Sequence, residues 1–569
     1  MPSTRLSPAS RTAALERMQN EKFDVLVIGG GVVGAGIALD AASRGLSVAI
    51  VEERDWASGT SSRSSKLVHG GLRYLEMLDF RLVFEALAER GRLLNTIAPH
   101  LVRPVTFLYP LQHRVWERVY IGAGILLYDV LALLSGTRQR LSWHKHLTRA
   151  GARRELPGLA PDALVGAIRY SDAQVDDARH TMAVVRTAVG RGAAAANRAS
   201  VISLVKDGDS VSGAVIVDLE TGAKRTVQAA QTIIAGGVWT DQLEELGGSD
   251  AGLVVTASKG AHIVVERKRI PGSSGIILRT EKSVLFVIPW GEHWIIGTTD
   301  TEWSLGKAHP SVSAYDVEYL LEHVNQVLEN PLTLDDIQGV YAGLRPLVSG
   351  NTQQTTRLSR EHHIDHPLAN LTVIAGGKYT TYRVMAKDAV DAAFAKVKRV
   401  VAKSKTSALP LAGAAEYAAM WGNRQQLANR SGLSLDRVES LLQRYGSYVG
   451  DVLRLVEEDH TLGNPLPSND EHLAAEVVYA VTHEGALHLD DVLTRRTRLS
   501  IESWDRGVDS ASLAAELMAP ILGWNAARRD REVRVYLARV EAERAAQREP
   551  DDRASEEARL KAPEIGRDE

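Results

Sequence analysis

Four cationic or proton-accepting side chains of this chain lie next to glycines, prolines or apolar runs that would fix their positions. Arg73 follows a pair of glycines, and its planar guanidinium can bind a phosphate or carboxylate through two hydrogen bonds. Arg345 precedes a proline, which restricts its backbone. Lys378 follows a second glycine pair, where backbone N–H groups can also face an anion. His262 begins an apolar run, and an imidazole with an ordinary pKa near ~6.5 can accept a proton. Together they predict a site that binds an anion and moves a proton.

A strand–glycine loop–helix–strand–acid unit near the start of the chain predicts a bound dinucleotide. An apolar run over residues 23–28 enters a loop in which Gly29 permits the tight turn and Gly31 lets the backbone approach a pyrophosphate. Gly34 allows the helix to pack closely on the strand, and the helix start favours negative charge. Glu52 ends the second strand and can accept hydrogen bonds from ribose hydroxyls.

Two later apolar runs also enter paired glycines and extend this unit. Residues 232–235 lead into Gly236-Gly237, and residues 371–375 lead into Gly376-Gly377. A buried strand that ends in glycines lets the backbone contact a ligand closely. Between them, residues 253–299 read as strands with polar alternation, which is typical of an antiparallel sheet. From about residue 414 the chain reads as helices.

Composition narrows the function classes. The chain has 67 basic and 70 acidic residues, a net charge of −3, so no global positive field indicates nucleic acid binding. It has no cysteine, which excludes disulfides, thiolate metal sites, cysteine nucleophiles and a flavin attached through cysteine. No signal peptide is recognisable, and the apolar stretch 120–134 is shorter than a membrane-spanning helix requires. We expect that stretch to be a buried or interfacial helix.

Several motifs resemble those of the FAD-dependent glycerol-3-phosphate dehydrogenases. Residues 28–45 resemble the first signature of that family, and residues 376–386 resemble its second. Residues 64–76 are similar to its flavin and substrate segment, while residues 476–481 and 491–498 resemble its helical cap. The resemblance covers about residues 20–540. One departure is Val238, which stands where the family commonly has proline.

The resemblance implies the fold, the cofactor and the reaction. The expected fold is α/β, with a Rossmann-like FAD-binding domain and an antiparallel-sheet substrate domain, as in glutathione reductase and D-amino-acid oxidase, followed by an all-helical C-terminal domain. FAD would be held non-covalently. The reaction would be oxidation of sn-glycerol 3-phosphate to dihydroxyacetone phosphate, with electrons passed to a membrane quinone. The family is peripheral on the cytoplasmic face of the membrane, and a homodimer is left open.

Site residues follow from these motifs and from the resemblance. The expected catalytic residues are His262, Lys378 and Arg345, with His262 as base and Lys378 as its rival. The expected substrate ligands are Arg73, Tyr74, Arg345, Lys378 and Thr380. The expected cofactor ligands are Gly29, Gly31, Gly34, Glu52, Thr60, Ser61, Ser65, Lys66, Leu67, Val201, Ala235, Gly236, Gly376, Gly377 and Thr381. No metal site is expected. The helix at 120–134 and basic residues such as Arg495, Arg496 and Arg498 are candidate elements for membrane docking, with core packing or a solvated face as the alternative for each.

The domain boundaries follow from the same patterns. We expect a disordered lead over residues 1–20, an FAD-dependent oxidoreductase region over 21–400, a helical domain over 401–547 and a disordered polar tail over 548–569. Within the oxidoreductase region, residues 21–100, 175–250 and 345–400 would bind FAD. Residues 101–174 and 251–344 would bind substrate.

Three other functions remain open at this point. An oxidase would pass the electrons from glycerol 3-phosphate to dioxygen. An NAD enzyme would satisfy the first glycine motif, although the second glycine junction favours FAD. A non-catalytic nucleotide-binding regulator would use its helical C-terminal region to bind protein or DNA, but the clustered cations at glycine-rich junctions argue against it.

Overall fold

The computed structural model describes residues 3–135, 141–248, 253–281, 284–348 and 362–565. The first part of the chain contains α1 (Pro8–Asn20), β1 (Lys22–Ile28), α2 (Val32–Ser43), β2 (Val48–Val51), β3 (Leu67–Val68), α3 (Arg73–Glu76), α4 (Phe80–Arg92) and β4 (Val102–Leu111). It continues with α5 (Trp116–Leu134), β5 (Lys145–Thr148), α6 (Arg149–Glu155), β6 (Gly166–Val175), α7 (Asp177–Val189) and β7 (Ala194–Ala196).

The middle of the chain is rich in strands. It contains β8 (Ala199–Asp207), β9 (Ser210–Asp218), β10 (Lys224–Ile234), α8 (Thr240–Glu245), β11 (Val255–Glu266), β12 (Gly275–Arg279), β13 (Val284–Trp290), β14 (His293–Gly297) and β15 (Thr301–Trp303). Then follow α9 (Ala314–Asn325), β16 (Ile337–Val348), β17 (His362–Asp365), β18 (Leu371–Gly376) and α10 (Tyr382–Phe394).

The last part of the chain is almost wholly helical. It contains α11 (Tyr417–Gly422), α12 (Arg424–Ser431), α13 (Leu435–Tyr445), α14 (Val449–Glu458), β19 (Pro465–Leu466), β20 (Asn469–Leu473), α15 (Ala474–His483), α16 (Leu499–Glu502), α17 (Val508–Leu522), α18 (Ala526–Ala546) and α19 (Asp552–Arg559).

The first sheet is the Rossmann-like sheet that the glycine unit predicts. Its strands lie in the order β17-β18-β10-β1-β2-β7, and β8 and β9 join it through β10. The pairs β18–β10, β10–β1, β1–β2 and β2–β7 are parallel. Parallel strands buried on both faces need continuous apolar runs, which β1 and β2 have. Helices α2, α7 and α10 cover one face, and α1 with the β8–β10 meander covers the other.

The second sheet forms the other half of the oxidoreductase region. Its ten strands run β15-β11-β14-β13-β12-β4-β6-β3, with β16 paired to β11 and β5 paired to β6. All of these pairs are antiparallel except β12–β4. The predicted fold class is therefore confirmed, because a Rossmann-like sheet, a mainly antiparallel sheet and a helical C-terminal region are all present.

The helical C-terminal region packs around its own apolar core and is joined to the oxidoreductase region by ion pairs. Its core includes Val438, Leu441, Val477 and Tyr536. We propose residue 400 as the boundary between the two regions. The expectation that Arg495, Arg496 and Arg498 form a basic docking face is wrong, because all three are buried. Their charges are matched by aspartates of the oxidoreductase region, Asp55 for the first two and Asp176 and Asp177 for the third.

The predicted disordered lead is a helix over most of its length. Ser7 and Ser10 form a capping box at the start of α1. Leu15 and Met18 are buried against the meander, and Arg11 forms an ion pair with Asp218. The prediction failed because so few apolar residues gave no periodic pattern, although their spacing puts them on one helix face. Residues 1–2 lie outside the described part of the chain.

The predicted disordered tail is also ordered through residue 565. Helix α19 begins at its cap Asp551 and contacts the back of the second sheet. Asp552 is hydrogen bonded to Lys259, and Ser555 donates to Ser311 at 2.8 Å. A polar segment can fold when its charges meet opposite charges on another element, and composition alone does not show this. Residues 566–569 lie outside the described part.

None of the helices in the described ranges is both long and apolar enough to cross a membrane.

Candidate active site

The glycine loop at the start of α2 leaves room for a cofactor backbone. Gly29 has a φ of +112° and donates its N–H to Val51 at 2.9 Å. A Cβ atom on Gly29 would lie 2.5 Å from the carbonyl oxygen of Ala235, and one on Gly34 would lie 1.9 Å from the carbonyl oxygen of Gly29. The loop, the helix and the end of β10 can therefore meet only if these residues are glycine, as a dinucleotide cradle requires.

Glu52 lies beside the glycine loop, where the sequence predicts a ribose. Its carboxylate accepts hydrogen bonds from the N–H of Gly30 at 2.6 Å and of Arg54 at 2.9 Å. Burial raises the pKa of Glu52, and the two N–H donors oppose that rise. Its main-chain oxygen accepts from Ala199 at 2.8 Å, so the start of β8 lies beside it. Val201 follows two residues later on β8, where it packs in the meander, and its expected role at the cofactor stays a prediction.

The segment after β2 connects the cradle to the second sheet. Ser61 Oγ accepts a hydrogen bond of 2.9 Å from the N–H of Val32, the first residue of α2. Thr60 Oγ1 donates to the carbonyl oxygen of Leu344 on β16 at 2.6 Å. Gly31 lies at the helix cap with its Cβ position 3.1 Å from Ser61 Oγ. Ser61 and Thr60 therefore bring the helix start and the second sheet together around the expected pyrophosphate position.

Lys66 lies within this segment, and its side chain is fully buried. Its Nζ donates to Asp177 at 2.9 Å and to the carbonyl oxygen of Ser62 at 3.3 Å. Burial and the nearby charge of Arg498 lower the pKa of Lys66, while Asp177 raises it. With its ammonium so engaged, only its backbone remains to approach a cofactor. Leu67, the next residue, begins β3 beside Gln174.

A cavity of about 470 Å³ lies where the two sheets meet. The glycine end of β18 in the first sheet and residues of β11, β13 and β16 in the second sheet line it together. Many of the expected site residues line it: Thr60, Ser65, Leu67, Tyr74, His262, Arg345, Gly377, Lys378 and Thr380. The volume is within the range of small-molecule sites.

Arg345 is fixed in this cavity by a set of hydrogen bonds. Its Nη2 donates to Thr298 Oγ1 at 3.0 Å, and its Nη1 donates to Ser258 Oγ at 3.2 Å and to the carboxylate of Asp300 at 3.3 Å. Gly260 leaves the space, since its Cβ would lie 2.6 Å from the guanidinium. The guanidinium is thus held in one orientation, and Asp300 offsets part of its charge.

His262 lies on β11 near Arg345 and is buried. Its ring stacks on Tyr341 at 4.5 Å, and its Nε2 is 2.9 Å from Ser65 Oγ. Its Nδ1 makes no hydrogen bond to any residue in the described ranges. Burial, followed by the charges of Arg345 and Lys66, holds the pKa of His262 well below its ordinary value. The imidazole is therefore neutral at neutral pH and available as a proton acceptor.

Lys378, Tyr74 and Thr380 lie together at another wall of the cavity. Lys378 Nζ lies 3.4 Å from the centroid of the Tyr74 ring, in a cation–π contact. Thr380 Oγ1 is 3.3 Å from both the N–H and the carbonyl oxygen of His69, which ties the Lys378 loop to the segment after β3.

The glycine end of β10 meets the cradle, and the glycine end of β18 lines the cavity. Gly376 and Gly377 have φ values of +80° and +79°, a backbone conformation suited to glycine. Ala235 and Gly236 end β10 beside Gly29. Thr381, which is buried, begins the turn into α10. This part of the structure fits a dinucleotide that extends from Glu52 toward the cavity.

One expected ligand cannot be assigned a contact. Arg73 is the first residue of α3, but its side chain lies outside the described part of the chain. The sequence also gave no indication of several residues that organise the site, namely Asp177, Asp300, Tyr128 and Tyr341. Asp300 follows a Thr-Thr pair after β14, and Asp177 begins α7 shortly after the end of β6. The sequence feature that could have identified both is a carboxylate close to the end of a strand.

Tyr128 shows how α5 reaches this site. Its hydroxyl accepts a hydrogen bond of 2.7 Å from the N–H of Gly70 and donates to the carboxylate of Asp172 at 2.8 Å. A Cβ on Gly70 would lie 2.7 Å from that hydroxyl. The buried face of α5 therefore holds the backbone next to His69 and Gly71, both of which line the cavity.

Comparison with known proteins agrees with this architecture. Residues 24–391 match the FAD dependent oxidoreductase family, and residues 404–529 match the C-terminal domain of alpha-glycerophosphate oxidase. The chain is 53% identical over 563 residues to glycerol-3-phosphate dehydrogenase 2 of Mycobacterium tuberculosis, which covers 99% of this chain and 96% of that protein.

More distant relatives give the same family. The mitochondrial glycerol-3-phosphate dehydrogenase of Homo sapiens is 37% identical over 541 residues, covering 91% of this chain and 73% of that protein. The crystal structure of the glycerol-3-phosphate dehydrogenase from Bacillus halodurans complexed with FAD aligns with a TM-score of 0.78 at 30% identity. That alignment covers 94% of this chain and 98% of the other.

Proposed function

Since this chain belongs to the FAD-dependent glycerol-3-phosphate dehydrogenase family, we propose that it oxidises sn-glycerol 3-phosphate to dihydroxyacetone phosphate with non-covalently bound FAD. The observation that carries the proposal is the cavity of about 470 Å³. There the glycine end of β18 and the cations Arg345 and Lys378 come together with the neutral imidazole of His262. Such a cavity suits an alcohol that also carries a phosphate.

Bound FAD would supply the hydride acceptor for the carbinol carbon of the substrate. The protein must then hold that carbon at a fixed distance from the flavin, because positioning alone can supply a large part of the rate. Arg345 suits this task, since its hydrogen bonds to Thr298, Ser258 and Asp300 fix the direction of a guanidinium that can bind the phosphate.

Lys378, Tyr74 and Thr380 would complete the substrate ligands. Lys378 lies over the ring of Tyr74, and this cation–π contact restrains the position of its ammonium group. In this arrangement Lys378 can stabilise the negative charge that develops on the substrate oxygen. Arg73 remains the proposed second phosphate ligand on the strength of its family motif.

His262 is the proposed base. Because burial and nearby cations keep its pKa well below the ordinary value, the ring is unprotonated when substrate arrives and can take the hydroxyl proton. Stacking on Tyr341 and the contact with Ser65 fix the plane of the ring. Lys378 is the rival for this role, and the two are separated by the variants in the Discussion.

We further propose that the electrons pass to a membrane quinone and that the protein attaches to the cytoplasmic face of the membrane without spanning it. The support is an apolar surface on α5, which we call the α5 face. It consists of Trp116, Val119, Tyr120, Leu126, Leu127, Leu133 and Leu134, all exposed and spaced as one side of a helix. The exposed Phe80 and Phe84 lie on α4, and the exposed Met77 and Leu78 lie on the turn between α3 and α4. Both of these helices pack against α5.

A contiguous apolar surface of this kind indicates an interaction site. Its position supports the quinone proposal, because the buried side of α5 contacts Gly70 through Tyr128, next to the cavity. A quinone carried in the membrane would then be near the flavin end of the site.

An anaerobic titration tests the reaction. The purified holoenzyme should lose its oxidised-flavin absorbance when glycerol 3-phosphate is added, and glycerol at the same concentration should have little effect. An unchanged spectrum with glycerol 3-phosphate would contradict the proposal.

A second experiment identifies the electron acceptor. Turnover with a water-soluble quinone analogue under nitrogen, and slow peroxide formation in air, would support the quinone-linked dehydrogenase. Rapid peroxide formation without quinone would instead support the oxidase.

A further inference from the structure

A second cavity, of about 140 Å³, lies between the segment after β2 and the C-terminal helices. Its walls come from residues 54–63, the loop at 309–312, the start of α16 with the segment before it, and α18 and α19. None of the residues expected to bind FAD lines it. It is therefore separate from the cradle, and it is small beside the cavity that would hold the substrate, with which it shares the lining residue Arg63.

Arginines outnumber carboxylates in the lining of this second cavity, whose carboxylates are Asp55, Asp490, Asp491, Glu543 and Glu564. Seven arginines contribute to it: Arg54, Arg63, Arg198, Arg495, Arg498, Arg539 and Arg559. Most of them have carboxylate partners; Arg495, for example, pairs with Asp55 at 2.6 Å, and Arg539 with Asp490 at 2.7 Å. Arg54 and Arg63 are different, because neither forms an ion pair with a carboxylate of any residue that the structure describes.

The unbalanced charge affects other groups nearby. Burial and the positive charges of Arg54, Arg495 and Arg539 lower the pKa of the Arg63 guanidinium to about 9. Burial and the neighbouring arginines also hold the pKa of His309 well below its ordinary value. Cations that disfavour one another's charge are stabilised when an anion binds between them.

We propose that this cavity binds a small tetrahedral dianion of the size of inorganic phosphate. A volume of about 140 Å³ corresponds to roughly four or five waters at ~30 Å³ each, enough for a phosphate ion and one or two waters but too small for a nucleotide. The guanidiniums of Arg54 and Arg63 are its expected ligands, since arginine binds phosphate through paired hydrogen bonds.

Such a site would connect two parts of the protein. One wall comes from residues 54–63, the segment that also contains Thr60 and Ser61 at the cradle. The opposite wall belongs to the C-terminal helices. A bound phosphate would link them and so help to retain FAD, by the general rule that a ligand stabilises the state that binds it.

The temperature at which holoenzyme releases FAD, followed by flavin fluorescence, tests the proposal. Sodium phosphate should raise this temperature above its value in sodium chloride of equal ionic strength. The rise should persist in Arg345→Gln, where the proposed substrate clamp is removed, so a failure of that clamp and a failure of this site remain distinguishable.

The rise should be lost in Arg54→Gln and in Arg63→Gln, with Arg191→Gln, an exposed arginine, as the matched control. Two separate variants are used so that one still provides a test if the other does not retain FAD. A rise in Arg54→Gln equal to that in Arg191→Gln would overturn the proposal even if Arg63→Gln loses the rise, because Arg63 also lines the larger cavity. A wild-type protein that responds to phosphate and chloride alike would also overturn it.

Discussion

Arg498 of the C-terminal region donates a hydrogen bond of 2.5 Å to the buried carboxylate of Asp177 in the oxidoreductase region. The same carboxylate accepts from Lys66 Nζ at 2.9 Å and from the N–H of Ser64 at 2.9 Å. Arg498 also donates to the carbonyl oxygen of Ser62 at 3.0 Å. The C-terminal helices therefore hold the segment that carries Ser65, which contacts His262.

Replacing Arg498 tests this connection. In Arg498→Met, Asp176 loses its ion pair with Arg498 and Asp177 keeps only its ion pair with Lys66, and removing one member of a buried ion pair costs about 3–5 kcal/mol. We expect a lower thermal unfolding midpoint and weaker retention of FAD, measured by absorbance after gel filtration. The control is Arg430→Met, whose side chain is 73% exposed and pairs with Glu457, so its loss should cost less than about 1 kcal/mol. Similar losses in both variants would show that Arg498 has no special role.

His262→Ala tests the proposed base. The rate of flavin reduction by glycerol 3-phosphate, followed by stopped flow, should fall at least ~100-fold while FAD stays bound. Lys378→Met should also slow the reaction, because Lys378 contributes charge at the substrate. Reduction of His262→Ala at a near wild-type rate would transfer the role of base to Lys378.

Arg345→Gln tests the phosphate clamp. A hydrogen bond to a charged group is worth about 1.5–3 kcal/mol, so kcat/KM for glycerol 3-phosphate should fall about 10- to 100-fold. Glycerol, which has no phosphate, should lose much less. Arg345→Lys keeps a positive charge but not the paired geometry, so its kcat/KM for glycerol 3-phosphate should lie between those of the wild type and Arg345→Gln. A proportional loss for glycerol and glycerol 3-phosphate would rule out phosphate recognition.

The local parts of this site could be predicted from the sequence. Gly29, Gly34 and Glu52 belong to one continuous unit whose spacing is fixed by strand and helix geometry, and the loop has the backbone conformation that the glycines allow. Lys378 could be found because it directly follows the glycine end of a buried strand. In each case the informative residues lie within one supersecondary unit.

The parts that depend on distant contacts could not be predicted. Asp177 lies 111 residues from Lys66, and Arg498 lies 321 residues from Asp177, so no local pattern links them. For the same reason Arg495, Arg496 and Arg498 read as an exposed basic face although they are buried against aspartates. The polar composition of residues 548–569 also led to a wrong prediction of disorder for α19, whose Asp552 is bound by Lys259 of the second sheet.

His488 predicts a pH dependence of stability. Burial alone would lower its pKa, but hydrogen bonds to Glu220 and Glu532 raise it to about 9 from 6.5. The stabilising effect is therefore complete below pH 6.5 and is lost as the pH rises toward 9, an effect of about 3 kcal/mol. Relative to His488→Gln, the wild-type unfolding midpoint should fall between about pH 6.5 and about pH 9. A constant difference across this range would show that His488 is not charged in the folded protein.

The α5 face makes a prediction about membrane attachment that separates it from catalysis. Trp116 and Leu134 are 62% and 66% exposed, so the folded protein should tolerate Trp116→Glu and Leu134→Glu together. Burying such side chains contributes about 1.5–3 kcal/mol each, and glutamate is also repelled by anionic lipid. The double variant should therefore bind anionic vesicles at least ~100-fold more weakly in a sedimentation assay. It should still reduce a soluble dye with glycerol 3-phosphate, because neither residue lines the cavity.

Leu334→Glu, at an equally exposed leucine (65%) outside α5, is the control and should bind vesicles as wild type does. Equal binding by the double variant and the control would mean that another surface attaches the protein to the membrane.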